Sequence, residues 1–261
     1  MPIGWATDLA ILELTGSSVA DRGDHLVVRS PHNPGYHWGN CLLVTDPAKV
    51  DDADRWAECF ATQFPHATWF AAGLVTTPSK PQAWARYGIE LEQLDVLVTT
   101  TVPRTAPHAD GYLVRQLADG DWDLLVARDI AENLRTGEYD PEVHERFVRQ
   151  TVASHRRLCD ADVAAWFGAF HGEDLVADLG IVRCGLMARY QAVGTHPRHR
   201  RRGLASHLLG VAAEWSAQRG CDTWVIVTES TNDAGRVYRR AGFTHGDAEV
   251  NAYRRPVLTT S

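Results

Sequence analysis

The stretch Val193-Gly194-Thr195-His196-Pro197-Arg198-His199-Arg200-Arg201-Arg202-Gly203-Leu204-Ala205 decides how this chain is read. Small and β-branched residues lead to Thr195, a proline and a run of basic residues follow, and an amphipathic segment continues to about Arg219. The pattern predicts a strand, a turn and a helix that starts at a Gly-x-Ala step. The first N–H groups of such a helix have no intrahelical acceptor and lie at its positive end, so they converge on a point suited to an anion. Gly203 has no Cβ to keep a phosphate from the main chain. Ala205 keeps the next position small, and Arg200, Arg201 and Arg202 add charge-assisted donors. The backbone from Arg201 through Ser206 is the candidate cradle.

A second pattern lies downstream. Thr223-Trp224-Val225-Ile226-Val227-Thr228 is β-branched and apolar between polar neighbours, as in a buried strand. It is followed by Ala234-Gly235-Arg236-Val237-Tyr238-Arg239-Arg240-Ala241-Gly242-Phe243. Arg200 to Ala205 resembles Arg/Gln-x-x-Gly-x-Gly/Ala, the coenzyme A pyrophosphate signature of the GNAT acetyltransferase superfamily. Ala234 to Phe243 is similar to that family's Ala-x-x-x-Tyr-x-x-x-Gly-Phe helix. The resemblance implies an α/β (α+β) fold with a mixed, mainly antiparallel central sheet flanked by helices. It also implies an acetyl-CoA-dependent N-acetyltransferase acting on a primary amine of a small molecule or peptide.

The length of 261 residues allows one large or two modest domains. A 44% hydrophobic and 23% charged composition is ordinary for a globular chain. Met1 to Gly16 carries only a short apolar run, Leu9 to Leu12, and no basic start, unlike a signal peptide. No apolar run approaches bilayer length. Five scattered cysteines suit a reducing cytoplasm, and neither they nor the twelve histidines show a metal-ligand spacing. The net charge of −7 is uneven: residues 1–110 hold 7 basic and 13 acidic side chains, residues 111–261 hold 19 and 20. One dense basic island, His196 to Arg202, on an acidic chain argues against nucleic-acid binding and favours a cationic acceptor.

Val102 to Gly111, rich in Pro and small residues, reads as a linker. Beyond it the expected order is a strand at Tyr112–Leu117, helices from Trp122 and from Asp140-Pro141, and a hairpin of Val163–Phe170 with Leu175–Val182. The strand Met187–Thr195 then leads to the anion loop. Residues 109–261 thus have the length and layout of a catalytic GNAT domain. Residues 1–108 mimic it: strands at His25–Arg29, Trp38–Val44 and Trp69–Val75, a helix at Asp54–Phe64, and Trp84 four residues before Gly88 as Tyr238 stands before Gly242. With no pyrophosphate motif there, residues 1–108 read as a degenerate copy, a tandem form of the fold.

The resemblance assigns roles. Val193, Gly194 and Thr195 pair with the pantetheine arm beside two splayed strands, with Gly194 suited to the bulge that exposes an N–H to the acyl oxygen. Such a preorganised donor contributes roughly 3–4 kcal/mol to catalysis. Tyr238 serves the departing thiolate. Reference pKa values of about 10 and about 8.5 make full proton transfer uphill by roughly 2 kcal/mol, so a hydrogen bond does most of the work. Asn232 is expected to cap the last helix and touch the cofactor. The family's glutamate on the strand before the loop is replaced here by Arg189, Tyr190 and Gln191. Glu229 is the nearest candidate base, with Asp178 and Glu173 as alternatives; read plainly, all three are solvated acids. A non-catalytic acyl-CoA-binding module is the competing reading.

Overall fold

The computed structural model describes residues 1–230 and 234–256. The first half of the chain forms α1 (Ile3–Leu14), β1 (Ser18–Asp21), β2 (His25–Arg29), β3 (Cys41–Val44), α2 (Ala53–Gln63), β4 (Phe70–Leu74), α3 (Pro81–Ala85) and β5 (Glu90–Thr99). The second half forms β6 (Leu113–Gln116), α4 (Trp122–Thr136), α5 (Pro141–Asp160), β7 (Ala164–His171), β8 (Asp174–Cys184), β9 (Met187–Thr195), α6 (Leu204–Ala217), β10 (Thr223–Glu229), α7 (Ala234–Arg240) and β11 (Thr244–Arg254).

Local chemistry sets the helix starts. Asp140 accepts the N–H groups of Glu142 and Val143 while Pro141 occupies the first turn, so α5 begins where the sequence predicts. Asp52 caps α2 through the Arg55 N–H in the same way. The expected strand Trp38–Val44 is shorter: His37–Gly39 is a 3₁₀ turn and only Cys41–Val44 is extended. Trp38 leaves the sheet to pack on Trp5 and Tyr253, with ring centroids 6.3 and 5.7 Å away. Helix α1, which buries Trp5 and Leu12, has no counterpart in the sequence reading.

The eleven described strands join one sheet in the order β1-β2-β3-β4-β11-β5-β10-β9-β8-β7-β6. Among the described pairings only β3–β4 and β9–β10 are parallel, and they flank the central β11–β5 pair symmetrically. This is the expected mixed, mainly antiparallel sheet with its layout duplicated. The halves are interleaved, however. β5, from the first half, lies between β10 and β11, while β11, the last strand, lies between β4 and β5. Each half closes its sheet with a strand of the other.

Helices cover both faces. On one, Leu204, Leu208 and Tyr238 of α6 and α7 pack against Leu97, Tyr190, Trp224 and Ile226. On the other, Trp122, Val148 and Val152 of α4 and α5 meet Trp166 and Val182, with Ile11 of α1 alongside. A separate core in the first half centres on Leu42, Trp56, Phe70 and Trp84. Trp84 is wholly buried there and donates its indole N–H to Val50 O at 3.2 Å.

Candidate active site

The parallel strands β9 and β10 pair only at Met187–Arg189 with Thr223–Val225. Beyond Arg189 and Val225 both strands continue without pairing, β9 along β8 and β10 along β5. A wedge opens between them. At the same level β9 is bulged: its register against β8 slips between Asp178 and Gly180, and Ala192 has φ +51°. The sequence places Gly194 at the bulge. In the structure Gly194 stands opposite Asp178 in ordinary register, and Ala192 adopts the left-handed conformation at a cost of about 1–3 kcal/mol. Backbone strain of this kind is retained where the surrounding sheet enforces it.

Past Thr195 the chain makes a 3₁₀ turn at Pro197–His199, and α6 begins after Gly203. Arg200 Nε donates to Thr195 O at 3.2 Å, tying the loop to the strand end. Arg200, Arg201 and Arg202 are exposed, and no side chain caps the first turn formed by Leu204, Ala205 and Ser206. These N–H groups and guanidinium groups suit an anionic diphosphate. Gly203 has a further role that the sequence hides. Its φ is +80°, and a Cβ on it would lie 2.5 Å from Pro107 O. The linker runs along this side of α6: the Ala109 N–H donates to Arg202 O at 2.9 Å and His207 Nδ1 lies 2.7 Å from Ala106 O. Gly203→Ala is therefore expected to lower the melting temperature without any ligand, by about 1–3 kcal/mol of strain. A thermal melt of the unliganded protein checks this. An unchanged melt would mean that the glycine serves only an approaching anion.

A cavity of about 510 Å³ fills the wedge and extends between α1, α5, α7 and the middle of β11. Val193, Glu229 and Tyr238 line it together with Arg189, Tyr190 and Gln191. Gly194 and Thr195 at the end of β9, the turn residues Arg200 to Gly203 and the first turn of α6, Leu204 to Ser206, lie beyond the lining, and Asn232 lies outside the described residues. Tyr238 is 5% exposed, and burial pushes its phenol up to about 12. The helix carrying it is held from β5: Arg239 donates to Asp95 Oδ2 at 2.9 Å and the Ser230 hydroxyl to Asp95 Oδ1 at 2.6 Å. Glu229 is exposed at the rim. Glu173 is exposed in the β7–β8 turn, away from the cavity lining. Asp178 is not a solvated acid: it is buried beside Arg128, and desolvation pushes it up to about 6 despite that guanidinium.

The structure adds three residues that the sequence reading missed as a site. Arg189, 6% exposed, donates Nη2 to Asp8 Oδ1 at 2.9 Å. Glu249, 1% exposed, accepts the Trp5 N–H at 2.6 Å and so caps α1. Its Oε2 has no hydrogen-bond partner among the described residues. Burial, and after it the Asp8 charge, push Glu249 from 4.5 up to about 7. The native state thus holds this proton more tightly than the unfolded chain, so stability falls as pH rises from about 4.5 to about 7. Glu249→Gln, which cannot ionise, should gain melting temperature on the wild type through that window. Parallel melts across pH would show it, and a constant difference would assign Glu249 a fixed charge. The signal was hidden because the run Glu249-Val250-Asn251-Ala252 alternates polar and apolar like a half-exposed strand, whereas β11 is buried on both faces there.

Among the described residues no group of three or more His, Cys, Asp or Glu could hold a metal ion. No described helix is long and apolar enough to cross a membrane.

No curated protein matches the sequence. Residues 128–243 match the acetyltransferase (GNAT) family. The fold is similar to that of a GCN5-related N-acetyltransferase from Kribbella flavida, at 15% identity over 97% of this chain and 96% of that one, with a TM-score of 0.64. A GCN5-related N-acetyltransferase from Sphaerobacter thermophilus is 19% identical over 92% of this chain and 84% of its own, with a TM-score of 0.61. A tandem GNAT protein from the clavulanic acid biosynthesis pathway is 14% identical over 94% and 85%, with a TM-score of 0.55. Those similarities are of fold. The family match itself spans residues 128–243, which lie in the second half of the chain.

Proposed function

We propose that the protein transfers an acetyl group from acetyl-CoA to a primary amine of a small molecule or peptide, by direct attack and without a covalent enzyme intermediate. The observation that carries this reading is the wedge: two parallel strands that part after Arg189 and Val225, with Tyr238 reaching into the cavity between them. Residues 109–261 carry the cofactor loop and Tyr238, and residues 1–108 act as a degenerate copy of the fold whose Trp5, Asp8, Trp38 and Glu92 wall the other side of the cavity. In that copy the turn before α2 holds Asp46, Asp51 and Asp52 where the second half has arginines, and the Asp52 carboxylate takes the helix start. A phosphate would be repelled there. The five unpaired cysteines support a cytoplasmic setting.

Bound acetyl-CoA supplies the thioester whose carbonyl carbon the neutral amine attacks. Arg200 to Ser206 hold the diphosphate, and the strand end Val193, Gly194 and Thr195 offers backbone groups to the arm that follows. Tyr238 donates a hydrogen bond to the departing sulfur. With the phenol near 12 and a thiol near about 8.5, complete transfer is uphill by about 5 kcal/mol, so Tyr238 stabilises developing charge rather than protonating early. Glu229, at the rim, accepts the amine proton through water as that charge develops. The test is a panel of amines scored for release of free CoA thiol. Turnover with at least one amine supports the reading. Tight binding of acetyl-CoA without transfer to any amine would make the protein an acyl-CoA-binding module instead.

A further inference from the structure

The acceptor side of the cavity carries more negative charge than one amine can use. Four carboxylates line it, those of Asp8, Glu92, Glu229 and Glu249, against a single guanidinium, Arg189, whose Nη2 is on Asp8 while its Nε and Nη1 have no hydrogen-bond partner among the described residues. Glu249 and Glu229 lie in one register row, each opposite Leu94 of the strand between them. Residues in such a row face the same side of the sheet, and neighbouring strands lie about 4.8 Å apart, so the two Cα atoms are about 10 Å apart. Glu229 is open at the rim; Glu249 is enclosed, with one oxygen on the Trp5 N–H and the other unpartnered. A buried carboxylate with an unused oxygen calls for a cation. The rings of Trp5, Tyr36 and Trp38 wall the space and suit both an alkyl chain and an ammonium group.

Resting on the acyl-transfer reading, we propose that the acceptor is an α,ω-diamine: one amine is presented to the acetyl group beside Tyr238 and Glu229, and the other, as an ammonium, is held by Glu249. A ligand carboxylate is disfavoured in the second place, because beside Arg189 it would also meet Asp8 and Glu249. The groups around Glu249 are the Trp5 N–H and Asp8 on α1, Arg189 on β9, Asp247 on its own strand, Glu229 in the same register row, and Glu92 in the next row, opposite Asn251. His32 and His155 line the same cavity, and burial holds His155 down to about 4, so it adds no positive charge near neutrality. Only ionised Glu249 can hold the ammonium. Diamine affinity therefore rises with pH through the region near 7 while both amines of the ligand stay protonated.

Binding is measured by calorimetry and by the fluorescence of the cavity tryptophans, using putrescine, cadaverine, butylamine and γ-aminobutyrate as probes, with CoA release followed in parallel. The expected result is putrescine or cadaverine binding the wild type at least about tenfold tighter than butylamine, with γ-aminobutyrate weakest. Diamine affinity should rise severalfold between pH 6 and pH 8. Glu249→Gln keeps an oxygen for the Trp5 N–H, and it should abolish the preference while leaving acetyl-CoA affinity unchanged. Equal affinity of diamine and monoamine in the wild type overturns the proposal without recourse to any variant, as does tighter binding of γ-aminobutyrate. Monoamines acetylated as well as diamines would remove the second ammonium and leave acyl transfer standing. Diamines that bind but are never acetylated would do the reverse.

Discussion

Replacing Tyr238 by phenylalanine is expected to lower kcat by roughly 10²–10⁴-fold, the range for a lost acid–base group, with KM for acetyl-CoA changed only a few-fold. The substitution removes one hydroxyl and keeps the ring. The ring packs with Phe243 at a centroid distance of 6.5 Å, so the helix and the cavity wall should survive. The hydroxyl matters chiefly when charge develops on sulfur, which is why the loss falls on kcat. Steady-state kinetics with an amine from the panel, together with a melt of the variant, decide it. Unchanged turnover would leave Tyr238 as a packing residue and move thiolate stabilisation elsewhere in the wedge.

Ending the chain at Phe243 is expected to abolish cooperative folding of the whole protein rather than fray one edge. β11 pairs with β4 on one side and β5 on the other, and it buries Val250 and Ala252 between them. Its loss leaves two bare strand edges in the middle of the sheet and takes Glu249 from the start of α1. Against a typical total stability of about 5–15 kcal/mol, removing a central strand leaves no margin. A cut between residues 108 and 109 acts similarly, because the second piece loses β5 from between β10 and β11. Each piece should be insoluble or molten alone, and the two co-expressed should recover one sharp melt. A 109–261 piece that melts cooperatively and binds acetyl-CoA by itself would show that β10 and β11 can close without β5.

The second half was legible because its signals are local. Asp140 with Pro141, the apolar run Thr223–Thr228 and the basic turn into α6 each specify an element within a few residues, and the GNAT order follows from their succession. α1 and β5 were not legible, for different reasons. α1 has no side-chain cap of its own and draws on Glu249, 244 residues away. β5 begins Glu-Leu-Glu-Gln-Leu, which suits its mixed surroundings but gives no clean alternation. At the site, Tyr238, Glu229 and Val193 line one cavity, a Cβ on Gly203 would face the linker, and Ala192 rather than Gly194 has the left-handed backbone at the bulge. Arg189, Asp8 and Glu249 come from three distant segments, and only tertiary structure places them in one cavity.

The exchange of β5 and β11 also sets a timetable. As the chain leaves the ribosome, β4 and β5 emerge early with an empty lane between them, and the strand that fills it, β11, is made only after the ten other described strands. The first half cannot reach its final form during synthesis of the second. It must wait with two unpaired edges, the state in which nascent chains draw chaperones or pair with one another. The strand that finishes the first half is thus also the one that delivers Glu249 to the cavity the two halves share.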